Sequence, residues 1–349
     1  MNMAVSSGKH LLVIRLSAMG DVAMTVPVLL ALLDQYPELK ITVLTRSFFK
    51  PMFSQLANVT VFEADVKGKH KGIFGLYKLY KELVTLNIDV VVDLHNVLRS
   101  SILKFYFSFS KIPVYQIDKG RNEKRALTAL KDKKITQLKT THQRYADVFE
   151  KLGFRLALDN SPLLSKTNLT SKTQNKIGLD AKKWIGIAPF AAFSGKMYPL
   201  DLMEKVINNL NNTDKYKILL FGGGTKEKEQ LDKWQANYVN CINMTSQVSF
   251  EEQLAVISKL DLMLAMDSGN AHLAAMYGIP TITLWGVTHP YAGFYPFRQD
   301  LNNALLSDRV KFPLIPTSVY GNTYPKGYEN AIKTISSDVI LKKITQVLG

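Results

Sequence analysis

The sequence contains little cysteine and no long apolar run. Cys241 is the only cysteine among 349 residues, so no internal disulfide can form, which favours a reducing compartment. Cys241 lies in a strand-like stretch, which predicts a buried, unreactive thiol. No stretch of about 18 uninterrupted apolar residues occurs, so we expect no transmembrane helix. Arg15 interrupts the N-terminal apolar run, which argues against a cleavable signal. We therefore expect a cytoplasmic protein.

Acidic residues are scarce relative to basic ones. The formal net charge is +15, and residues 1–165 hold 24 Lys and Arg against 14 Asp and Glu. From Lys104 to Arg144 there are 11 basic residues and only three acidic ones. Such a field attracts polyanions, namely nucleic acid, an anionic membrane or a phosphorylated glycolipid. A lysine-rich solvated surface is the simpler alternative.

Short apolar runs alternate with helical patterns along most of the chain, which predicts doubly wound parallel sheets covered on both faces. A helix is predicted at 22–36, with Pro27 either bending it or marking its start. Strands are predicted at 10–16, 40–46, 59–64, 88–94, 184–190, 216–224, 240–244, 261–266 and 282–286.

A polar stretch with few apolar anchors, residues 156–180, divides this alternation into two halves. We therefore expect an N-terminal domain at 1–165 and a second domain at 166–330. Residues 331–349 are predicted to form a C-terminal helix that could cross back to the first domain. Ligands of such folds bind beyond the carboxyl ends of the strands, at helix N-termini.

The first polar turn follows the first predicted strand, in RLSAMGDVAMTVPVLLAL (15–32). Gly20 permits a tight turn, and the helix after it presents free N–H groups at its positive end. Asp21 has two interpretations at this position. It caps the helix, or it lies at the mouth of a cleft as a general base. The spacing alone leaves both open.

Two further turns follow predicted strands in the second half. In PFAAFSGKMYP (189–199), Lys196 is placed to meet a phosphate as a point charge, although the residues around it do not form a P-loop. A solvated lysine is the simpler alternative. In FGGGTKEKEQL (221–231), three glycines allow the backbone to approach a ligand closely. Glu227 could accept hydrogen bonds from ribose hydroxyls or cap the helix.

A last turn lies in MDSGNAHLAAMYG (266–278). Asp267 and Ser268 end a predicted strand, and Gly269 opens a helix of small residues. His272 lies one turn inside this helix, where a histidine is more often a core hydrogen-bonding group than a ligand contact. His272 and His289 have no third ligand at a suitable spacing, so we expect no metal site.

Together these segments resemble glycosyltransferase family 9, the ADP-heptose:lipopolysaccharide heptosyltransferases. Residues 15–32 are similar to the N-terminal signature of that family, and SGKMYP (194–199) to its phosphate-binding lysine loop. MDSGNAHLAAMYGIPTITLWGVTHP (266–290) is similar to its nucleotide-sugar motif, and DLHNVLRS (93–100) to its acceptor-side turn. The resemblance covers most of residues 10–300 in the same order.

The resemblance implies a GT-B fold, in which two Rossmann-like doubly wound domains face each other across a cleft. It further implies an inverting, metal-independent transfer of heptose or a related sugar from an ADP-sugar to a lipopolysaccharide inner-core or lipid A-linked acceptor. Asp21 matches the base, and Lys196 the cation for the donor diphosphate. Donor contacts are assigned to Ser194, Gly223, Thr225, Glu227, Asp267, Ser268, Gly269 and His272. Acceptor contacts are assigned to Gly20, Asn96, Arg99, Arg121 and Lys124.

The expected partners are a nucleotide-sugar donor and a phosphorylated glycolipid, with peripheral contact at the cytoplasmic face of an anionic inner membrane. No cofactor, metal or nucleic acid is expected. Two alternatives stay open. One is another GT-B enzyme, either a UDP- or GDP-sugar transferase for surface polysaccharide or an epimerase. The other is a non-enzymatic, basic polyanion-binding module. The aromatic residues Tyr291, Phe294, Tyr295 and Phe297 could line a sugar or acceptor surface, or pack in an interface.

Overall fold

The computed structural model describes residues 8–178, 180–245 and 248–349, and the chain divides into two compact units. Unit 1 comprises the residues up to Lys119 together with Thr141–Leu164, and unit 2 comprises Gly120–Thr140 and Ser165–Gly349. Residues 1–7, where the sequence predicts no cleavable signal, lie outside the described residues. So does residue 179 of the polar stretch. Over the described parts of the chain, no helix is both long and apolar enough to cross a membrane.

Strands and helices alternate through both units. The strands are β1 (His10–Ile14), β2 (Lys40–Thr45), β3 (Val59–Glu63), β4 (Val90–Asp93), β5 (Val114–Gln116), β6 (Lys183–Ala188), β7 (Tyr216–Leu220), β8 (Cys241–Asn243), β9 (Leu262–Met266), β10 (Thr281–Trp285) and β11 (Ala304–Leu306). The α-helices are α1 (Met19–Ala23), α2 (Thr25–Gln35), α3 (Gly72–Val84), α4 (Leu98–Phe109), α5 (Arg121–Leu127), α6 (Thr141–Glu150), α7 (Ser171–Ile177), α8 (Leu200–Asn212), α9 (Thr225–Asn237), α10 (Phe250–Ile257), α11 (Gly269–Met276) and α12 (Ser337–Leu348). Short 3₁₀ helices are Ser47–Phe53, Ser194–Lys196, Pro290–Ala292, Leu301–Asn303 and Tyr328–Thr334.

Unit 1 contains a parallel sheet of five strands in the order β3-β2-β1-β4-β5. The chain moves from β1 to β2 and β3 on one side, and then crosses to β4 and β5 on the other. The order therefore reverses between β1 and β4, where Ile14 pairs with Asp93. Ligands of open parallel sheets bind beside such a switch point, at the carboxyl ends of the strands.

Both faces of this sheet are covered. On one face, Leu12 and Ile14 of β1 pack in a core with residues from α3 and α4, among them Leu79 and Phe107. The intervening residue Val13 is also fully buried, so the opposite face is covered as well. Burial on both faces explains why β1 is an uninterrupted apolar run rather than an alternating one.

Unit 2 contains a parallel sheet of six strands in the order β11-β10-β9-β6-β7-β8. Its order reverses between β6 and β9, where Ala188 pairs with Ala265. The core of this unit includes Val206 of α8 and Trp234 of α9. It also includes Ile340 of α12, so the C-terminal helix packs in the core of unit 2, whereas the sequence suggested that it could cross back to the first domain.

The segment Gly120–Thr140 lies in unit 2, whereas the sequence boundary at residue 165 placed it in the first domain. Side-chain and backbone contacts explain the difference. The Leu138 N–H donates to the Tyr291 carbonyl at 3.0 Å, and the ammonium of Lys133 donates to the carbonyls of Leu314 and Pro316. These partners lie more than 150 residues further along the chain, and no local sequence pattern predicts the contacts.

The structure confirms every strand that the sequence predicts, with ends that differ by a few residues. Pro27 lies in the first turn of α2, as expected for a proline that marks a helix start. The polar stretch contains a short helix, α7, which the sequence did not predict. Cys241 is buried, as predicted, and burial raises the pKa of its thiol to about 12.

Helix α10 begins with a capping box. The Ser249 N–H donates to Glu252 Oε2 at 2.8 Å, and the Glu252 N–H donates to Ser249 Oγ at 3.2 Å. The hydrogen bond from the Ser249 backbone lowers the pKa of Glu252 to about 2, with contributions from the hydroxyls of Thr170 and Thr173. Glu252 is thus a carboxylate whose role is to cap a helix.

Candidate active site

Asp21 lies at the carboxyl edge of the unit 1 sheet, in the first turn of α1. The N-terminal cap of this helix is Ala18, which has no side-chain oxygen, and its N–H donates to Asp21 Oδ2 at 3.3 Å. The same oxygen lies 2.7 Å from Nη2 of Arg15. The Asp21 side chain remains 27% exposed. Asp21 therefore caps the helix and still presents its carboxylate to solvent.

The Arg15 side chain fixes the position of the Asp21 carboxylate. This side chain is only 6% exposed, and its Nη1 donates to the Leu94 carbonyl at 2.7 Å. The guanidinium carbon lies 5.9 Å from the ring centre of Tyr145, whose hydroxyl donates to the Asp21 carbonyl at 3.2 Å. A buried guanidinium with fixed partners restricts the carboxylate to one geometry, which is what a positioned base requires.

The turn after β4 supplies polar groups next to Asp21. Asp93 Oδ1 accepts from the N–H groups of His95 at 2.8 Å and Asn96 at 2.9 Å, and Asn96 adopts a φ of +45°. His95 is buried, and its Nδ1 has no hydrogen-bond partner within the described chain. Burial, together with the positive charge of Arg15, lowers the pKa of His95 to about 4. The imidazole is therefore neutral at physiological pH.

The structure brings together four of the six residues predicted for the base and the acceptor. Gly20 and Asp21 follow β1, Asn96 and Arg99 follow β4, and these strands are neighbours at the switch point. The other two, Arg121 and Lys124, lie on α5, which belongs to unit 2.

In unit 2, the side chain of Lys124 is buried, and its ammonium lies 4.2 Å from the ring centre of Phe294. Tyr295 and Phe297 are also buried, whereas Tyr291 and Phe294 are half-buried. Arg121 is exposed on the same short helix.

Lys196 ends the 3₁₀ helix Ser194–Lys196 that follows β6. Its ammonium lies 3.2 Å from Asp267 Oδ2, and the two side chains are 14% and 7% exposed. Asp267 Oδ2 also accepts from the Thr288 hydroxyl at 2.9 Å. Asp267 therefore fixes the position of the ammonium, so Lys196 is a held cation at the switch point and not a freely solvated lysine.

Close backbone packing surrounds the stem of Lys196. The Gly195 carbonyl accepts from the Val287 N–H at 2.9 Å, and a Cβ at Gly286 would overlap that carbonyl. Gly321 has a φ of +81°, and a Cβ there would overlap the side chain of Lys196. The Ser194 and Tyr324 hydroxyls are hydrogen-bonded at 2.7 Å. These contacts restrict Lys196 from several sides.

The N-terminus of α11 lies beside this cation because β9 and β6 are adjacent strands. Ser268 occupies the N-cap position of α11 without a side-chain cap hydrogen bond, and its Oγ is buried without a partner in the parts of the chain that the structure describes. Gly269 begins the helix, and His272 is buried one turn further on. The N–H groups of a first helical turn have no intrahelical acceptor and favour anions.

The glycine-rich turn after β7 lies at the same carboxyl edge of the unit 2 sheet. The Gly223 N–H donates to Glu227 Oε2 at 2.7 Å, so Glu227 closes the turn that precedes α9. A Cβ at Gly223 would meet nothing within 4 Å, which leaves open space for a ligand above the turn. Thr225, the first residue of α9, is exposed. All eight predicted donor residues thus follow β6, β7 and β9, three neighbouring strands of one sheet.

Sequence reasoning missed several residues that the geometry places at these sites. Arg15 could have been identified from the sequence, because a charged residue at the end of a buried strand needs a partner of opposite charge. His95 was visible in DLHNVLRS but was not selected. Thr288 and Tyr324 gave no usable signal, because their partners Asp267 and Ser194 are 21 and 130 residues away. No group of three His, Cys, Asp or Glu side chains suited to a metal occurs within the described residues.

Each unit is thus a doubly wound α/β unit with its polar turns at the carboxyl edge. Unit 2 combines a held cation, a helix N-terminus and a glycine-rich turn. These features are typical of sites that bind ligands with phosphate groups. Unit 1 presents a positioned carboxylate at the corresponding edge of its own sheet. Comparison with known proteins defines the class further.

The family model for glycosyltransferase family 9 (heptosyltransferase) matches residues 76–311, and the chain belongs to this family. It is 24% identical to the lipopolysaccharide core heptosyltransferase OpsX of Haemophilus influenzae, over 81% of this chain and 80% of that protein. It is 26% identical to the lipooligosaccharide heptosyltransferase 2 of the same species, over 97% of this chain and 99% of that protein. The chain is therefore a glycosyltransferase, which excludes a non-enzymatic binding module.

Solved structures share the fold. A family 9 glycosyltransferase from Veillonella parvula superposes with a TM-score of 0.75 at 20% identity, covering 98% of both chains. The E. coli heptosyltransferase WaaC with ADP-2-deoxy-2-fluoro heptose superposes with a TM-score of 0.65 at 18% identity, covering 97% of this chain and 99% of that chain. The predicted GT-B fold class is confirmed.

Proposed function

We propose that this glycosyltransferase moves heptose, or a closely related sugar, from an ADP-sugar to a lipopolysaccharide inner-core or lipid A-linked acceptor. The observation that carries the proposal is the Lys196 ammonium held by Asp267 beside the N-terminus of α11. The names of its relatives support the acceptor class, since they are lipopolysaccharide and lipooligosaccharide heptosyltransferases. The ADP-sugar analogue bound to the E. coli heptosyltransferase supports the donor class.

The donor diphosphate would bind between Lys196 and the N–H groups of the first turn of α11. As the bond from the sugar to the diphosphate breaks, negative charge grows on the leaving oxygen, and a fixed ammonium and helix N-terminus stabilise it without a metal ion. Ser268 Oγ, which is buried without a partner in the described chain, can donate to a phosphate oxygen. Glu227 can accept from ribose hydroxyls in addition to the Gly223 N–H, because a carboxylate accepts several hydrogen bonds.

Asp21 is proposed as the general base that takes the proton of the acceptor hydroxyl. The acceptor oxygen then forms a bond to the anomeric carbon, and the bond from that carbon to the diphosphate breaks with its electron pair on the departing ADP. Attack from the face opposite the leaving group inverts the anomeric configuration. Arg15 acts through Asp21 and is a positioning residue. Gly20, Asn96 and Arg99 are the proposed acceptor contacts of unit 1.

The acceptor is proposed to be a phosphorylated glycolipid reached from the cytoplasmic face of an anionic membrane. Residues 104–144 carry 11 basic side chains against three acidic ones, and this charge attracts phosphates and anionic headgroups. Arg121 and Lys124 belong to this basic segment. They are the proposed acceptor contacts of unit 2.

Thermal unfolding in the presence of nucleotide sugars tests the donor assignment. A ligand that binds only the folded chain stabilises it by about 2.7 kcal/mol at 100 times its Kd, which raises the midpoint by roughly 5–10 °C for a unit of this size. We expect this shift with ADP-heptose and a smaller one with ADP, and none with UDP-, GDP- or CMP-sugars. Selective stabilisation by a UDP- or GDP-sugar would assign a different donor, and the absence of any shift would contradict the proposed site.

A further inference from the structure

Helices α3 and α4 of unit 1 expose an unusual amount of aromatic surface. The side chains of Phe74, Phe105 and Phe109 are 90%, 61% and 67% exposed. Ile73 and Tyr77 are exposed beside them. The α3–α4 surface is defined here by these five residues.

The α3–α4 surface is continuous across the two helices. Tyr106 of α4 joins them, because its hydroxyl donates to the Ile73 carbonyl at 3.3 Å and its ring centre lies 5.3 Å from that of Tyr77. The ring of Phe105 lies 5.9 Å from that of Tyr106 and 5.1 Å from that of Phe109. The rings of Tyr77, Phe105 and Phe109 therefore form one patch through Tyr106, and Phe74 lies one helical turn before Tyr77 on α3.

The fold of unit 1 does not require this patch. The inward faces of the same helices are already packed in the core through Leu79, Leu83, Leu103 and Phe107. Phe74, at 90% exposure, adds almost no burial to the folded chain, and Phe105 and Phe109 keep most of their surface exposed. Large contiguous apolar patches are rare on the surfaces of soluble proteins, and where they occur they often mark interaction sites.

The charges around the patch are almost all positive. Residues 66–84 contain five lysines, at positions 67, 69, 71, 78 and 81, and one acidic residue, Glu82. Glu82 is engaged by Lys69 at 2.7 Å and His70 at 3.2 Å. Residues 98–111 contain Arg99, Lys104 and Lys111 and no acidic residue. The patch is thus an aromatic surface with a basic surround.

We infer that the α3–α4 surface docks on an anionic lipid bilayer, an inference that rests on the proposed lipid-linked acceptor. Aromatic side chains insert at the boundary between headgroups and acyl chains, while lysines extend to the phosphates. A second copy of this chain would fit less well, because it would bring one basic surround against another. The bilayer has the complementary charge.

The placement of the surface suits a lipid-linked acceptor. A helix between two parallel strands runs antiparallel to them, so α3 and α4 begin at the carboxyl edge of the sheet. Ile73 and Phe74 lie in the first turn of α3, at the same edge of unit 1 as Asp21. Phe105 and Phe109 lie in the second half of α4, which runs toward the amino edge. Docking through the α3 end of this surface would bring the edge that carries Asp21 close to the headgroups.

Sedimentation of the full chain with phosphatidylcholine vesicles, with and without 30% phosphatidylglycerol, tests the inference. We expect binding to the anionic vesicles that weakens as salt is raised. Phe74→Ser with Phe105→Ser should lower this affinity about tenfold or more, because two aromatic side chains lose their burial in lipid. Lys78→Gln with Lys81→Gln should lower it by about fivefold per lysine at low salt.

Val239→Ser with Val310→Ser is the matched control, because both valines are highly exposed in unit 2. This variant should bind vesicles like the wild type, and all variants should keep the wild-type melting temperature. Wild type that fails to bind anionic vesicles would overturn the inference. Undiminished vesicle binding by the phenylalanine variant would overturn it as well. This includes the case in which the variant binds vesicles normally but light scattering shows that it no longer self-associates.

Transfer to an acceptor stripped of its acyl chains separates this inference from the proposed function. The phenylalanine variant should transfer sugar to that soluble acceptor at the wild-type rate while binding vesicles poorly. If wild type fails to glycosylate the soluble acceptor but the vesicle results hold, the proposed acceptor is wrong and the docking surface stands.

Discussion

Asp21→Asn is expected to lower turnover by about 10²-fold or more while leaving the affinity for the ADP-sugar almost unchanged. Asparagine keeps an oxygen that can accept from the Ala18 N–H and from Arg15, so the turn and the helix cap should survive. It cannot take up the proton of the acceptor hydroxyl. The kcat from steady-state kinetics and the donor Kd from calorimetry, measured on the same preparation, test this expectation.

Glu252→Gln provides the matched control, because Glu252 is also a carboxylate in the first turn of a helix that accepts from the N–H of the capping residue. Its removal should cost stability and leave turnover at the wild-type level. The pair of variants therefore separates a base from a cap, the two interpretations that spacing left open for Asp21. Undiminished turnover in Asp21→Asn would show that Asp21 is only a cap.

Lys196→Ala is expected to weaken binding of the ADP-sugar by about 10- to 100-fold, the range of a lost charge-assisted hydrogen bond. It should also lower kcat by about 10²-fold, because the ammonium that we propose stabilises the departing diphosphate is gone. Both effects should appear together, since in the proposed mechanism the same group contacts the donor before and during bond cleavage. Isothermal calorimetry with ADP and single-turnover transfer with excess enzyme measure them separately.

Lys182→Ala is the control for this substitution. Lys182 also pairs with an aspartate, at 2.5 Å from Asp214, but it precedes β6 at the amino edge of the sheet. It should leave donor affinity and turnover unchanged. Because Lys196→Ala leaves Asp267 buried beside Thr288 without its cation, the melting temperature of each variant must be compared. A change confined to acceptor affinity would contradict the placement of Lys196.

Much of the fold could be predicted from the sequence because its strands are buried on both faces. Runs such as residues 10–16 then become uninterrupted and apolar, and the residue that follows such a run lies at the carboxyl edge. This is why Asp21, Lys196 and Asp267 could be placed at strand ends before the structure was known. The two short strands β5 and β11, of three residues each, escaped prediction because they lack such a run.

Pairings between distant residues could not be predicted, because no periodicity encodes them. The contacts of Arg15 with Leu94 and Tyr145 span 79 and 130 residues of sequence, and they decide how Asp21 is held. The position of Gly120–Thr140 in unit 2 depends likewise on hydrogen bonds to a loop far along the chain. Local patterns indicated which turns carry chemistry, but tertiary contacts determine which side chains share a site.

The most direct test is to incubate the purified chain with ADP-heptose and a lipid A-linked core acceptor in the presence of a metal chelator. Mass spectrometry follows the acceptor, and NMR follows the anomeric carbon. We expect one ADP released for each heptose added, with an inverted anomeric configuration. Failure to release ADP, or transfer only from a UDP- or GDP-sugar, would contradict the assignment of this chain as an ADP-heptose-dependent transferase.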